Sequence, residues 1–365
     1  MKKTVILAAA VLTAAALLFP VQASAVSARR GILLDGNTGR VLWEKAADEK
    51  SLIASTTKIM TALVICRRCN VLDQVRIPKE AVGIEGSSMY LREGEVLTVQ
   101  ELLYGLMLHS GNDAATALAI YCGGTLEGFA GLMNDKAREL GMNNTHFVNP
   151  HGLDDANHYS TARDLAILAA YAMKDPIFRT TVATKSVRVG ERYLTNHNKL
   201  LWQVPGANGV KTGYTKAAGR LLVSGACRDG RQLIAVTIDD GNDWADHAEL
   251  LEAGFARFQT QTLVRKDQCL GTVAVAGGED GEVSLLASGD FVYPMAQGEK
   301  VSIRLPEGFV YAPVAENGEA GYAHILIDGN PVGKIPLYYG QTVEQTKEQK
   351  RNLWLPWRGA VSDAD

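Results

Sequence analysis

The chain has 365 residues, a formal net charge of −3 and 47% hydrophobic residues. That length accommodates two domains, and mild acidity excludes the basic footprint of a nucleic-acid-binding protein. Its five cysteines, an odd and sparse set, exclude a disulfide framework.

Lys2 and Lys3 precede a run of mostly Ala, Val and Leu from Val5 to Pro20, and Ala23-Ser24-Ala25 is a small-residue cleavage pattern. Together they predict a secretory signal peptide over residues 1–25, cut before Val26. The apolar run is short for a spanning helix, and no second long one follows. Gly31 to Asp35 and Arg40 to Trp43 flank Gly36-Asn37-Thr38-Gly39, which reads as a β-hairpin. Ala54 to about Arg68 reads as the first helix, with Ser55 at its N-cap. A capping box would place Glu or Gln three residues on. The chain has Lys58 there, a cation at the positive end of the helix dipole. Cys66-Arg67-Arg68-Cys69 has C-x-x-C spacing but no partner pair. It reads as two helix-end thiols, with a local disulfide left open.

Residues 98–122 read as helical, broken at Ser110-Gly111-Asn112. Leu126 to Gly141 and Ser160 to Met173 are two further helical stretches. Ser160 or Thr161 caps the second, with Asp164 completing a capping box. Three strand candidates follow, Gly209–Tyr214, Arg220–Cys227 and Gln232–Ile238, the last two joined by an Asp229-Gly230 hairpin signal. Asp243 to Phe258 reads as a closing helix. This order predicts an α+β arrangement in which both ends of the segment meet in one antiparallel sheet with an inserted helical lobe. From about Leu263, short alternating runs predict a small all-β domain. The expected division is 26–260, 261–342 and a tail, 343–365. Trp354, Leu355 and Trp357 lie beside Arg351 and Arg358 in the tail, but Pro356 interrupts any helix there. Peripheral membrane contact through the tail and a plain exposed tail both stand.

The chemistry gathers in three places. Ser55 and Lys58, three apart, share one helical face. A serine hydroxyl needs a base, and a lysine serves if burial or a neighbouring cation depresses its pKa. The helix start pushes the same way and favours an oxyanion at Ser55. Ser110 and Asn112 sit on the turn between helices. Lys211-Thr212-Gly213 falls on a strand, followed by Tyr214 and Thr215. A strand glycine suggests close approach by a ligand or another backbone.

S-x-x-K, S-x-N and K-T-G, in this order and on these local structures, form the motif set of β-lactamases and penicillin-binding proteins. Residues 28 to 258 resemble the serine D-alanyl-D-alanine carboxypeptidases, the low-molecular-mass penicillin-binding proteins, through stretches such as "LLYGLMLHSGNDAA" and "GVKTGYTKAAGRLLVSG". The segment after Leu263 is similar in kind to that family's C-terminal domain. The resemblance implies a β-lactamase/transpeptidase-like fold, with helices on both faces of the sheet, in an exported envelope protein. It implies that Ser55 attacks the D-Ala-D-Ala peptide bond of a peptidoglycan stem peptide and that Lys58 takes its proton. Ser110 and Lys211 relay a proton to the leaving D-alanine, and Asn112 orients the substrate and Lys58. Lys211 and Thr212, with Thr215 as an added candidate, bind the terminal carboxylate. The N–H groups of Ser55 and Tyr214 form the oxyanion hole beside Gly213. β-Lactams are the implied covalent inhibitors. The seven histidines show no metal-ligand pattern, so no cofactor is expected.

Some members of that family carry an arginine in the Asn-x-Asn stretch and another after the last strand. Here "TNHNKLL" has His197, and "DDGNDWADHAEL" has no arginine. A class A β-lactamase is a rival reading that needs a carboxylate for deacylation, with Glu139 as its candidate. A non-catalytic scaffold and a transpeptidase are the other rivals.

Overall fold

The computed structural model describes residues 26–347. The expected signal peptide and the end of the tail lie outside the described residues. The chain divides into two compact units between Ala256 and Arg257.

In chain order the first unit forms β1 (Arg30–Asp35), β2 (Val41–Lys45), a 3-10 turn (Ala54–Thr57), α1 (Lys58–Arg68), β3 (Gln74–Arg76), β4 (Val96–Thr98), α2 (Val99–Met107), α3 (Asn112–Gly123) and α4 (Leu126–Glu139). There follow α5 (Ala162–Ala172), α6 (Pro176–Ala183), β5 (Ser186–Val189), β6 (Arg192–Thr195), α7 (Leu200–Gln203), β7 (Ala207–Thr215), β8 (Gly219–Arg228), β9 (Arg231–Ile238) and α8 (Asp243–Arg257). The two ends do meet in one sheet of order β2-β1-β9-β8-β7, antiparallel throughout. Strand alternation sends side chains to both faces. Ile32 and Leu34 join the main core with Ile59 and Leu63 of α1. Leu33, between them, packs with Leu250 and Leu251 of α8. Helices therefore cover both faces. The Asp229-Gly230 turn has φ of 49° and 78°, as a type I′ hairpin requires.

Two expectations about caps change. Ser55 is not an N-cap: it sits inside the 3-10 turn and makes no capping hydrogen bond, and α1 starts only at Lys58. The tighter turn lifts Ser55 out of the buried helix, whose residues from Lys58 to Ile65 are all buried. At α5, Thr161 does accept from the Asp164 N–H. The Asp164 carboxylate instead binds the Asn144 N–H and the Thr145 hydroxyl, because a long connection crosses this helix start and needs those donors satisfied.

The second unit is all-β: β10 (Phe258–Val264), β11 (Cys269–Ala276), β12 (Glu282–Ala287), β13 (Phe291–Ala296), β14 (Val301–Arg304), β15 (Phe309–Tyr311), β16 (Glu319–Ile327) and β17 (Asn330–Tyr339). Six strands form one sheet, β14-β16-β17-β12-β11-β15, and β10 pairs with β13. Val283, Leu285, Ile325, Ile335 and Leu337 fill its core. Pro294 lies in β13, which pairs only with β10, where a missing donor is tolerated.

Candidate active site

Lys58 is fully buried at the start of α1. Its Nζ lies 2.9 Å from Ser55 Oγ, and it donates to Asn112 Oδ1 at 2.7 Å and to the His151 carbonyl at 2.7 Å. An ammonium would donate to all three. A neutral amine would keep the two bonds to Asn112 and His151 and turn its lone pair to the Ser55 hydroxyl. Burial is the main force toward the neutral form, and the Lys211 charge adds to it, against Asp113. Of the two causes named for such a lysine, burial or a neighbouring cation, both act here and burial is the larger.

The backbone around Ser55 is held under strain. Ala54 has φ of 44°, a left-handed conformation that costs a non-glycine residue about 1–2 kcal/mol. Gly152 (φ 88°) packs on this turn so closely that a Cβ there would stand 1.9 Å from the Ala54 carbonyl oxygen. Gly152→Ala is therefore expected to destabilise the first unit by about 3 kcal/mol and to slow acylation of Ser55. Urea unfolding and penicillin labelling check both; a neutral result in both would remove Gly152 as a brace.

Ser110 leaves α2 with φ of 62°, again left-handed. Such outliers gather at functional sites. Asn112 opens α3; its Nδ2 donates to the Glu85 carbonyl and its Oδ1 accepts from Lys58, which fixes the amide orientation. The next residue, Asp113, is 1% exposed. Its carboxylate accepts from the Ser88 hydroxyl and from the Met89 and Leu91 N–H groups, tying the 85–91 loop to the start of α3.

β7 is an edge strand of the sheet. A Cβ on Gly213 would stand 3.3 Å from the Thr56 N, so glycine lets this strand close on the turn that carries Ser55. Lys211, 1% exposed, donates to the Thr212 carbonyl, and burial pulls its pKa to about 7. Thr215 donates to Asp154 and accepts from the Ala218 N–H, which closes the β7–β8 turn.

Five predicted residues, Ser55, Ser110, Thr212, Gly213 and Tyr214, line one cavity of about 290 Å³. Lys58, Asn112 and Lys211 lie buried behind its wall. Thr215 is not in the wall. Ser110 Oγ makes no hydrogen bond to either lysine among the described residues, so any proton relay through it is completed by bound substrate. The wall also contains Ser87, His197, Arg220, Asp243 and Trp244, which the motif reading did not select. His197 has its pKa lowered to about 4 by burial and the Lys211 charge, so it is neutral. Arg220 was legible in principle, since the tight β7–β8 hairpin sets it opposite Tyr214. Glu139 is exposed, pairs with Lys136 and is not in the cavity wall. Among the described residues no His, Cys, Asp and Glu cluster is placed to hold a metal ion, and the five cysteines are free thiols.

A family profile for D-alanyl-D-alanine carboxypeptidases matches residues 18–242, and one for the C-terminal domain of penicillin-binding protein 5 matches 258–345. The chain is 33% identical to the D-alanyl-D-alanine carboxypeptidase DacF of Bacillus subtilis, over 85% of this chain and 84% of that one. Penicillin-binding protein 5 of Haemophilus influenzae is similar in structure, with a TM-score of 0.77 and 29% identity, covering 90% of this chain and 100% of that one. A mutant DD-transpeptidase of Streptomyces covers 63% of this chain and 98% of its own, with a TM-score of 0.61 and 36% identity. With its serine and buried lysine in contact at the start of α1, and with both units matched, the chain belongs to the D-alanyl-D-alanine carboxypeptidase family of serine enzymes.

Proposed function

We propose that this chain removes the terminal D-alanine from peptidoglycan stem pentapeptides through an acyl-enzyme on Ser55, and that β-lactams acylate the same serine. The observation that carries this is the 2.9 Å contact between Ser55 Oγ and a lysine whose charge is disfavoured by burial. Ser55 Oγ attacks the carbonyl carbon of the penultimate D-alanine while its proton passes to Lys58. The N–H groups of Ser55 and Tyr214 hold the oxyanion; losing one such donor typically costs about 100- to 1000-fold. The C–N bond then breaks, and the leaving amine takes a proton by way of Ser110, with Lys211 behind it. Water cleaves the ester to give the shortened peptide and free Ser55. In a β-lactam the leaving nitrogen stays tethered to the acyl group, so the ester persists.

An exported enzyme on the outer face of the cytoplasmic membrane, or secreted, fits this substrate. The leader (1–25) and the membrane contact of the tail (343–365) are parts of the same proposal. Its domain division is 26–260 for acyl transfer and 261–342 for the β-rich unit.

Incubation with a stem pentapeptide is expected to release D-alanine, and mass spectrometry after penicillin treatment is expected to find one adduct, on the peptide carrying Ser55. An adduct elsewhere, or penicillin hydrolysed within seconds, would overturn the reading. The likeness to the Streptomyces DD-transpeptidase supports a second outcome: cross-linked peptide dimers in place of free tetrapeptide would make this chain a transpeptidase.

A further inference from the structure

The cysteines take no part in the acyl-transfer site, and two of them meet. Cys69 is the C-cap of α1, and Cys122 lies in the last turn of α3. Their side chains are hydrogen-bonded to each other. Both are half-buried and line a cavity of about 510 Å³ with Arg67, Arg68, Asp73 and Tyr121. Beside them the Tyr121 hydroxyl donates to Asp73 Oδ2 at 2.8 Å, a second tie between the same two chain segments. Cys66, three residues before Cys69, is not in this wall.

α1 and α3 lie side by side and run the same way. At their N-terminal ends Lys58 donates to Asn112, and at their C-terminal ends the two thiols are in contact. From that contact the sulfurs have only to close to the roughly 2 Å of a disulfide. One thiol is suited to begin. The hydrogen bond from Cys69, with the Arg68 charge, draws the Cys122 thiol down to about 7, so much of it is thiolate near neutral pH. Cys69 is pushed up by the same hydrogen bond and by burial, and burial pushes Cys66 up to about 12.

We propose that Cys69 and Cys122 are a redox pair that closes to a disulfide, clamping together the two helices that carry Lys58 and Asn112. The Cys122 thiolate attacks one sulfur of a small-molecule disulfide or of a disulfide oxidoreductase. That S–S bond breaks; one half joins Cys122 as a mixed disulfide, and the other leaves as a thiolate and takes the Cys69 proton. Cys69 Sγ then attacks Cys122 Sγ and expels the second half, which takes a proton from water, where the Cys122 proton went. The cysteine pair is oxidised by two electrons, and the incoming disulfide is reduced to two thiols. Oxidants of this class belong to the compartment of an exported chain. The clamp does not depend on the carboxypeptidase reading. The closed ring encloses Ser110, Asn112 and the 85–91 loop.

The test treats the reduced full chain with glutathione disulfide, blocks remaining thiols with iodoacetamide and maps the unreduced peptides by mass spectrometry. One cross-link is expected, Cys69 to Cys122, with two fewer free thiols, reversed by dithiothreitol. C66S should form it as wild type does; C69S and C122S should not. The oxidised first unit is expected to unfold about 5–10 °C above the reduced one, in wild type and C66S alone. A Cys66–Cys69 cross-link, or glutathione held on Cys122 with Cys69 still free, would overturn the proposal. Equal unfolding midpoints for the oxidised and reduced chains would overturn the clamp. If the serine variants do not fold, the wild-type peptide map decides by itself.

Discussion

Replacing Ser55 by alanine is expected to cut penicillin acylation and D-alanine release by about a million-fold, the scale on which loss of a serine nucleophile has been measured in other enzymes. The fold should survive. Ser55 is only half-buried on its 3-10 turn, and its hydroxyl has Lys58 as its side-chain partner. After the substitution Lys58 keeps Asn112 and the His151 carbonyl, so no buried acceptor loses its donor. The unfolding midpoint should therefore move little while labelling by a fluorescent penicillin disappears. Ser110 shares the cavity but has no base within hydrogen-bonding reach among the described residues, so it should not take over. Labelling that persists in Ser55→Ala would move the nucleophile to Ser110 and undo the assigned roles.

The parts of this fold that were legible in the sequence are those with a full period. The strands β7, β8 and β9 and the helices α1 to α5 are long enough to show alternation or a 3.6-residue stripe. The β3–β4 ladder has three residues on each side, too few for any period to show. The β5–β6 hairpin and the eight-residue α6 were missed for the same reason. In the second unit β13 was hidden by Pro294, which reads as a breaker until the strand is seen to pair on one side only. The site follows a similar rule. Ser55, Lys58, Ser110, Asn112 and Lys211 are tied by local spacing within motifs, and the fold brings those motifs together. Asp113 was invisible because its partners, Ser88, Met89 and Leu91, lie in a loop with no periodic signal. Arg220 and Asp243 were read separately, one as a strand residue and one as a helix start. Only the sheet, by setting α8 against β8, makes them a pair.

Lys58→Arg is expected to reduce acylation of Ser55 by about ten-thousand-fold, the upper range for loss of a general base. The substitution separates two roles that the position could fill. If Lys58 served as a fixed cation beside the oxyanion, arginine would replace it in part. If it is the base, arginine fails, because a guanidinium does not give up its proton in a protein. The pH dependence of the wild-type enzyme tests the same point from the other side. Burial first, and the Lys211 charge second, lower the Lys58 pKa well below 10.5. The neutral amine is therefore the minor form below that lowered pKa and the major form above it. Acylation should rise with pH through an acid limb and level off far short of 10.5. Because Lys211 is itself drawn down to about 7 by burial, the limb belongs to the two lysines jointly. Linkage gives a second readout with a definite sign. Between about 7 and 10.5 the unfolded chain holds a proton on Lys211 that the folded chain has lost, so unfolding binds protons there and stability from this group rises with pH across that window. Since Lys58 is lowered in the same direction, Lys58→Met should flatten part of that rise, whereas Ser55→Ala should leave it in place. An acid limb centred near 10.5 would show that the lysine keeps its ordinary pKa in the folded enzyme, and Lys58→Arg retaining a tenth of the wild-type rate would show that it works charged, so that the base would have to be sought elsewhere in the cavity.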